Sequence, residues 1–254
     1  APRICGRPQP ASLPCVGEGA GWWAEHGLAS LGRSLKERDA RLFFFRGDPR
    51  DIVPRLAAER GVTSVHVSER RGQLRRDIDV PLRAELDQAG VRFVEHEGAL
   101  LEPPGVIRTG AGDHYSVFTP YWRKLAEVLD VSPPRSPLPA PARIPLPTDL
   151  PRSEDRSEWE WQPRSPDWST GLAERWTPGE DAATAALDEF VTDGLDSYVE
   201  ARDHLSASGS ELSPRLRWGE LSPAPVLHRA AESSPPSAAF LRPLGWREFS
   251  YHLA

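Results

Sequence analysis

Short apolar runs alternate with helical patterns between residues 41 and 101, and this alternation restricts the possible folds more than any other feature. Strands are expected at residues 41–45, 62–67 and 91–94. Helices are expected at residues 22–36, after Asp48-Pro49, and around Ile78, Leu82 and Leu86. Strands joined by single helices form βαβ units, which build a parallel sheet covered by helices. The sequence therefore predicts an α/β fold with a doubly wound parallel sheet.

A proline-dense segment at residues 131–151 lacks apolar periodicity and predicts an extended connector. Four tryptophans follow it in polar surroundings: Trp159, Trp161, Trp168 and Trp176. An electron relay or a base-stacking platform is one interpretation. We favour packing, because large aromatic side chains in a connector usually fix it to a domain surface by burying area. From residue 181 apolar residues recur at helical spacing, which predicts a core of Ala183, Leu187, Phe190, Val191, Leu195 and Val199.

Two Leu-Ser-Pro helix starts precede a Trp-Arg-Glu-Phe helix within residues 212–253. Ser213 and Ser222 suit the N-cap position, and a proline follows each of them where a missing N–H costs nothing. Other motifs stand earlier in the chain, in the order Trp22-Trp23, Arg46-Gly47-Asp48-Pro49, Arg76-Asp77 and Tyr115-Ser116-Val117-Phe118-Thr119-Pro120-Tyr121-Trp122. The ordered set resembles the DNA photolyase and cryptochrome family, in particular a class I type deoxyribodipyrimidine photolyase.

The resemblance covers residues 22–254 and implies a domain order. An irregular leader at 1–21 would precede an α/β antenna domain at 22–125, a connector rich in proline and tryptophan at 126–178, and the first helices of an all-α FAD-binding domain at 179–254. The family's opening Trp-Phe-Arg-Arg-Asp-Leu-Arg strand is absent from this sequence, and so are the later flavin helices. The chain also contains no methionine. We therefore expect an incomplete antenna domain and a truncated flavin domain, that is, a fragment.

The same resemblance implies a flavin site. Tyr198 matches a flavin-contacting tyrosine, with an ordinary helix-face aromatic as the alternative. The turn Gly209-Ser210-Glu211-Leu212-Ser213 matches the segment that holds the flavin diphosphate, where hydroxyls and backbone N–H groups at a helix start suit an anion. Simple capping is the alternative role for Ser210 and Ser213. Gly209 replaces a threonine of the family, so weakened flavin binding is expected. Phe240 matches a further flavin contact.

Three positions match DNA contacts of the family. Arg202 and Arg247 would bind phosphate, to which a guanidinium can donate two hydrogen bonds. Trp246 would offer its flat indole to a pyrimidine dimer swung out of the duplex, with a place in the core as the alternative. Pro243 stands where most repair-active relatives have a glutamate that hydrogen-bonds the dimer. Because of this departure, the inference that the protein repairs DNA is weaker than the inference that it resembles the family.

The resemblance implies light-driven repair of cyclobutane pyrimidine dimers by electron transfer from reduced FAD. In that reaction the cofactor carries the chemistry, so no protein residue is expected to act as acid or base. A second antenna chromophore of the folate or deazaflavin type is also implied, with its identity open. The alternative is a cryptochrome-like light sensor that binds FAD and repairs nothing, which Pro243 favours slightly. A third interpretation is that the isolated chain is inactive.

Charge and composition place further bounds on the protein. The formal net charge is −6, but the acidic excess lies within residues 137–200, which leaves the rest of the chain slightly basic and compatible with a DNA partner. No apolar run approaches the length of a membrane span, and no secretory signal is visible. Cys5 and Cys15 indicate neither a disulfide framework nor a zinc site. We expect a cytoplasmic monomer with no membrane partner.

Overall fold

The computed structural model describes residues 17–159, 161, 165–201, 204, 209–232 and 238–253. These residues form two compact units. The first comprises Ala1–His96 with Ala140–Glu180, and the second comprises Glu97–Pro139 with Asp181–Ala254. Helices surround a small parallel sheet in the first unit, and the second unit is helical, so the α/β prediction with a following helical region is confirmed. The four domain boundaries expected from the sequence stay a prediction.

The first unit is built on two parallel strands with helices between them. Strands β1 (Ser64–Ser68) and β2 (Arg92–His96) pair from Ser64 opposite Arg92 to Ser68 opposite His96. The helices are α1 (Glu18–Lys36), α2 (Pro49–Arg60), α3 (Val80–Gln88) and α5 (Thr170–Arg175), with a π-helical turn at Arg75–Asp79 and a 3₁₀ turn at Arg156–Trp159. Val65, Val67 and Phe93 pack with α2 and α3 around the buried Leu82 and Leu86. The predicted strands at 62–67 and 91–94 are confirmed within two residues.

Helix α2 begins as its sequence predicts. Asp48 precedes it in an extended conformation and accepts a hydrogen bond from the backbone N–H of Arg50, with 2.9 Å between the atoms. Pro49 occupies the first helical position, where its missing N–H leaves no partner unpaired. Gly61 ends the helix with φ of 60°, a left-handed conformation that glycine adopts without a steric penalty.

The strand predicted at residues 41–45 is wrong, because this segment has no regular secondary structure and belongs to no sheet. A strand requires a neighbouring backbone that continues the hydrogen-bond ladder. Here the neighbour is the connector: Phe44 donates its N–H to Ser153 Oγ at 2.9 Å and accepts from the backbone N–H of Glu154 at 2.8 Å. Two residues of pairing are too short to make a strand.

The connector tryptophans pack against the first unit, in agreement with the packing interpretation. Trp176 meets Trp23 of α1 edge to face, with ring centroids 5.3 Å apart. The indole N–H of Trp168 donates to Glu18 at 3.1 Å. Gly21 lies against the backbone of Trp161, since a Cβ on this glycine would stand 2.4 Å from the Trp161 carbonyl oxygen. The connector is therefore held on α1 by apolar area and by a specific close approach.

The second unit contains the remaining helices. They are α4 (Phe118–Val131), α6 (Glu180–Glu189), α7 (Tyr198–Ala201), α8 (Ser213–Trp218), α9 (Pro223–Glu232) and α10 (Ala238–Leu253), with a π-helical turn at Phe190–Gly194. Helix α9 starts directly after Ser222, as predicted. Helix α8 includes Ser213 as its first residue and makes no side-chain cap, so the predicted N-cap is wrong by one position.

Most of the predicted helical core is buried. Ala183, Leu187, Phe190 and Leu195 belong to the core of the second unit, and Val191 packs against it. Val199 is 51% exposed, so its core assignment is wrong. The π-helical turn contributes to this error: together with the turn at residues 195–197 it separates Val199 from the 3.6-residue period of α6. In the described residues no helix is long and apolar enough to cross a membrane.

Candidate functional site

A cavity of about 610 Å³ opens between the helices of the second unit. Its walls come from the start of α7, the turn before α8, and helices α8, α9 and α10. All five residues matched to flavin contacts line it: Tyr198, Ser210, Leu212, Ser213 and Phe240. The structure thus brings together segments more than forty residues apart in the sequence. Whether these residues bind a flavin stays a prediction.

Aromatic rings form one wall of the cavity. Tyr198 meets Phe240 edge to face, with centroids 5.4 Å apart and planes at 86°. Phe190 stands behind both rings, 4.8 Å from Phe240 and 5.7 Å from Tyr198. Edge-to-face contacts of this kind add to the stabilisation from buried area. Tyr198 is only partly buried, so its ring remains available to a ligand.

The turn before α8 presents hydroxyl groups to the cavity. Glu211 adopts φ of 52°, which is uncommon for a residue with a side chain and lets the backbone fold back. Leu212 is 2% exposed and anchors the turn, and its carbonyl accepts the N–H of Leu216 at 2.9 Å. Ser213 is exposed beside it and Ser210 is partly exposed. Small hydroxyl side chains are therefore held at the rim by a buried leucine.

Two arginines add positive charge to the same cavity. Arg217 is exposed on α8, and Arg247 on α10 is partly buried. The Arg247 guanidinium donates to Glu248 at 3.0 Å, and its central carbon lies 5.3 Å from the ring centroid of Tyr251. Guanidinium groups and hydroxyls suit a phosphate-bearing ligand. Arg247, matched in sequence to a DNA contact, thus shares a wall with the residues matched to flavin contacts.

Trp246 projects from α10 as a half-exposed, stacked indole. It is 50% exposed, so it is not a core residue. One face lies on the ring of Phe118, with centroids 3.9 Å apart and planes within 12°. Trp122 stands nearly parallel to Phe118 at 6.3 Å. An aromatic side chain supported on one face by a second ring is rigid, and it can offer its remaining surface to another flat group.

A glycine sets the distance between the two helices that carry these rings. A Cβ on Gly245 would stand 2.3 Å from Trp122 Cε3, closer than any side chain allows. Helix α10 can therefore approach α4 only with glycine at this position. This close approach places Trp246 over Phe118.

Glu248 and His252 are functional candidates that the sequence reasoning missed. Both belong to α10 and are buried, with exposures of 2% and 7%. Glu248 Oε2 accepts the backbone N–H of Leu101 at 2.8 Å, and His252 Nε2 accepts that of Tyr115 at 3.1 Å. Burial raises the pKa of Glu248 to about 7 and lowers that of His252. The available signal was the four-residue spacing of Leu244, Glu248 and His252, which places all three on one helix face.

Arg202, which was predicted to contact DNA, lies outside the described residues. Pro243 lies on the cavity wall, exposed, in the interior of α10. Its ring offers neither a hydrogen-bond donor nor a carboxylate to a ligand there. No group of three or more histidine, cysteine, aspartate or glutamate side chains that could hold a metal ion occurs in the described part of the chain.

A two-strand parallel α/β unit followed by a helical unit with an aromatic and cationic cavity is the arrangement that the resemblance to photolyases and cryptochromes implies. The chain belongs to the DNA photolyase family, because the family model described as DNA photolyase matches residues 5–142, more than half of its length. The family prediction is thereby confirmed.

Individual relatives agree with this assignment. The chain is 35% identical to a deoxyribodipyrimidine photo-lyase of Agrobacterium fabrum, over 91% of this chain and 49% of the relative. It superposes on a bacterial class III photolyase from Agrobacterium tumefaciens with a TM-score of 0.88 and 34% identity, covering 95% of this chain and 51% of that one. This structural similarity is with class III, whereas the motifs suggested class I.

A Synechocystis cryptochrome has the same fold, with a TM-score of 0.79 at 22% identity, over 92% of this chain and 50% of that one. The chain spans about half the length of the curated relatives it matches. The parts of the relatives that it matches are an α/β domain and the beginning of a helical domain, as the resemblance implied.

Proposed function

We propose that this chain forms part of a photolyase that binds FAD in the cavity of the second unit and repairs cyclobutane pyrimidine dimers in DNA. The observation that carries the proposal is the convergence of Tyr198, the Ser210 to Ser213 turn and Phe240 on one cavity. In sequence, these residues match flavin contacts of the family. Their common location is what a flavin site would require.

The residues present fit a dinucleotide. The cavity volume of about 610 Å³ falls within the roughly 300–1,000 Å³ usual for ligand pockets. Tyr198 and Phe240 offer apolar ring surface for the aromatic parts of the cofactor, and Ser210, Ser213 and Arg217 offer donors to a diphosphate. When bound, reduced FAD would supply the electron that splits the dimer after absorbing blue light.

The roles of the protein groups are binding and positioning. Arg247 would hold its positive charge against the cofactor or the adjacent DNA phosphate, and its hydrogen bond to Glu248 restricts its rotamers. Trp246, supported by Phe118, would stack on the unpaired bases. The matched Arg202 would add a phosphate contact. No residue is required to exchange a proton with substrate.

A cryptochrome-like sensor is the second candidate, and the observation that favours it is Pro243 on the cavity wall. Under the hypothesis of repair, a carboxylate at position 243 would hydrogen-bond the dimer. A sensor needs the flavin alone and would tolerate proline.

We also propose that the protein is a cytoplasmic monomer that acts on damaged DNA. It would carry a second antenna chromophore of the folate or deazaflavin type. Its domain order would be leader, antenna domain, connector and flavin domain. We expect the isolated chain to bind FAD weakly, because Gly209 removes one hydroxyl donor, and to lack repair activity by itself.

Flavin binding is tested by titrating the chain with FAD and following flavin fluorescence anisotropy. Saturable binding should weaken by about tenfold in Tyr198→Leu and severalfold in Ser213→Ala. Ser222→Ala is the matched control, because it removes a hydroxyl at a helix start that does not line the cavity. Absence of saturable binding, or equal affinity in all four proteins, would contradict the flavin site.

Repair is tested separately by joining this chain to the second half of the Agrobacterium fabrum relative. The chimera is illuminated with a thymine-dimer oligonucleotide, and restored thymines are counted. Restored thymines would exclude the hypothesis that the protein is a sensor without repair activity. A chimera that binds FAD but repairs only after Pro243→Glu would favour the sensor reading for the natural sequence.

A further inference from the structure

The sheet of the first unit has one apolar and one polar face. Side chains alternate along each strand, so Val65, Val67 and Phe93 turn towards α2 and α3. The opposite face carries the alternate residues of both strands, among them His66 of β1 and His96 of β2. Both histidines are exposed.

The two imidazoles approach each other closely. His66 Nδ1 and His96 Nε2 are 2.8 Å apart and share a hydrogen bond. The rings are nearly parallel, with planes at 15° and centroids 5.1 Å apart. His66 pairs with Val94 in the strand register and Ser68 with His96, so the histidines are diagonal neighbours on one face. Two rigid strands therefore hold two ring nitrogens at close range.

We propose that His66 and His96 form a two-imidazole binding site for a divalent transition-metal ion. Imidazole nitrogens bind such ions at about 2.1 Å, so two of them at right angles around one metal stand about 3.0 Å apart. The observed separation of 2.8 Å is close to this value. Metal binding displaces the proton of the shared hydrogen bond, which moves to His96 Nδ1 or to water. Since both side chains are exposed, small rotations then suffice to aim both lone pairs at one ion.

Ser64 fixes which nitrogen of His66 remains free for the metal. Its hydroxyl oxygen lies 3.0 Å from His66 Nε2. When Nε2–H donates to this oxygen, Nδ1 carries the lone pair, and Nδ1 is the atom that faces His96. Outer partners of this kind orient the ring and select the tautomer in metal sites. Ser64 is therefore a positioning residue for the proposed site.

The chemistry of the ligand set favours copper. Imidazole suits Cu²⁺, Ni²⁺ and Zn²⁺, and affinity for a given nitrogen site is highest for Cu²⁺. The neighbouring carboxylate of Glu95 is paired with Arg75 and Arg83. Water would complete the coordination, so we expect an exchangeable site rather than a structural one. Cu²⁺ should bind more tightly than Zn²⁺.

The test is calorimetric titration of the chain with Cu²⁺ and Zn²⁺ in a Cys5→Ser/Cys15→Ser background, because thiols would bind the same ions. One Cu²⁺ site is expected, with at least tenfold loss of affinity in His66→Ala and in His96→Ala, and a smaller loss in Ser64→Ala. His228→Ala is the matched control. Its imidazole, 3.4 Å from Ser136 Oγ, has no second histidine partner among the described contacts.

A second measurement locates the ion independently of affinity. Sub-stoichiometric Cu²⁺ should broaden the imidazole NMR signals of His66 and His96 before those of the other histidines. Unchanged affinity in either alanine variant with a normal circular dichroism spectrum, or first broadening at other histidines, would overturn the proposal. Neither result depends on flavin binding or repair.

Discussion

The Glu248 carboxylate accepts a hydrogen bond from the backbone N–H of Leu101 over 2.8 Å, across 147 positions of sequence. Its other oxygen accepts from Arg247, which lines the cavity. One buried carboxylate therefore serves both a loop backbone and a cavity side chain. Such an acceptor contributes to the stability of the second unit and to the orientation of Arg247.

Replacing Glu248 with alanine should lower the free energy of unfolding by about 2–3 kcal/mol, because the buried Leu101 N–H loses its acceptor. Urea denaturation measures the change. Glu127→Ala on α4 is the matched control, since Glu127 is exposed and pairs only with Lys124 among its described contacts. The control should change stability by less than about 1 kcal/mol. Equal effects in the two variants would show that the Leu101 contact is unimportant.

The stability of the second unit should depend on pH through Glu248. Burial raises the pKa of this carboxyl from 4.5 to about 7, against the opposing effects of Leu101 and Arg247. Between these values the folded protein keeps a proton that the unfolded chain has lost. The free energy of unfolding therefore falls as pH rises through this window, by up to about 3 kcal/mol.

The variant Glu248→Gln isolates this effect, because glutamine stays neutral at every pH. The difference in unfolding free energy between parent and variant should favour the parent more at pH 5 than at pH 8. The contribution from His252, whose pKa is lowered by burial, cancels in the difference. Parallel curves for the two proteins across this range would refute the assignment.

Gly245→Ala should destabilise the protein by about 1–3 kcal/mol, because the added methyl group would overlap the Trp122 ring. Gly32→Ala is the matched control. Gly32 lies inside α1, and a Cβ there meets nothing within 4 Å. Alanine at that position should stabilise α1 by about 0.5–1 kcal/mol. Thermal unfolding of both variants checks the signs, and stabilisation in both would mean that α10 and α4 do not approach closely.

Trp246→Ala should weaken binding of a thymine-dimer oligonucleotide by about tenfold, since stacking of a base on an aromatic ring is worth roughly 1–3 kcal/mol. Trp246→Phe should retain most of the affinity. Trp168→Ala, at a tryptophan of the connector that is 45% exposed, should leave it unchanged. Fluorescence anisotropy of a labelled oligonucleotide measures all four. A loss that is the same for Trp246 and Trp168 would indicate non-specific stacking.

Local signals in the sequence predicted local structure well. The Asp48-Pro49 start of α2 was predicted correctly because N-capping depends on neighbouring residues alone. The strand at residues 41–45 was predicted from another local signal, a short apolar run, and was wrong. Apolar β-rich composition indicates that a segment can enter a sheet, but pairing decides whether it does.

The spacing of residues in the sequence did not predict contacts between residues that lie far apart in the chain. The burial of Glu248 and His252 depends on the backbones of Leu101 and Tyr115, which lie far away in sequence. The cavity residues were found through family resemblance, since periodicity gives no reason to join Tyr198 with Phe240. The π-helical turn at Phe190–Gly194 had no sequence signature and, together with the turn at residues 195–197, separates the exposed Val199 from the period of α6.

The backbone of Phe44 is hydrogen-bonded to the Ser153 hydroxyl and to the Glu154 N–H, so the connector covers the apolar segment at residues 41–45. Arg152 is exposed directly before this contact. A single tryptic cut after Arg152 would loosen this cover without touching the sheet or the cavity. Proteolytic nicking would then expose the apolar residues 41–45 to other chains, so resistance to self-association would depend on the integrity of a segment that has no regular structure.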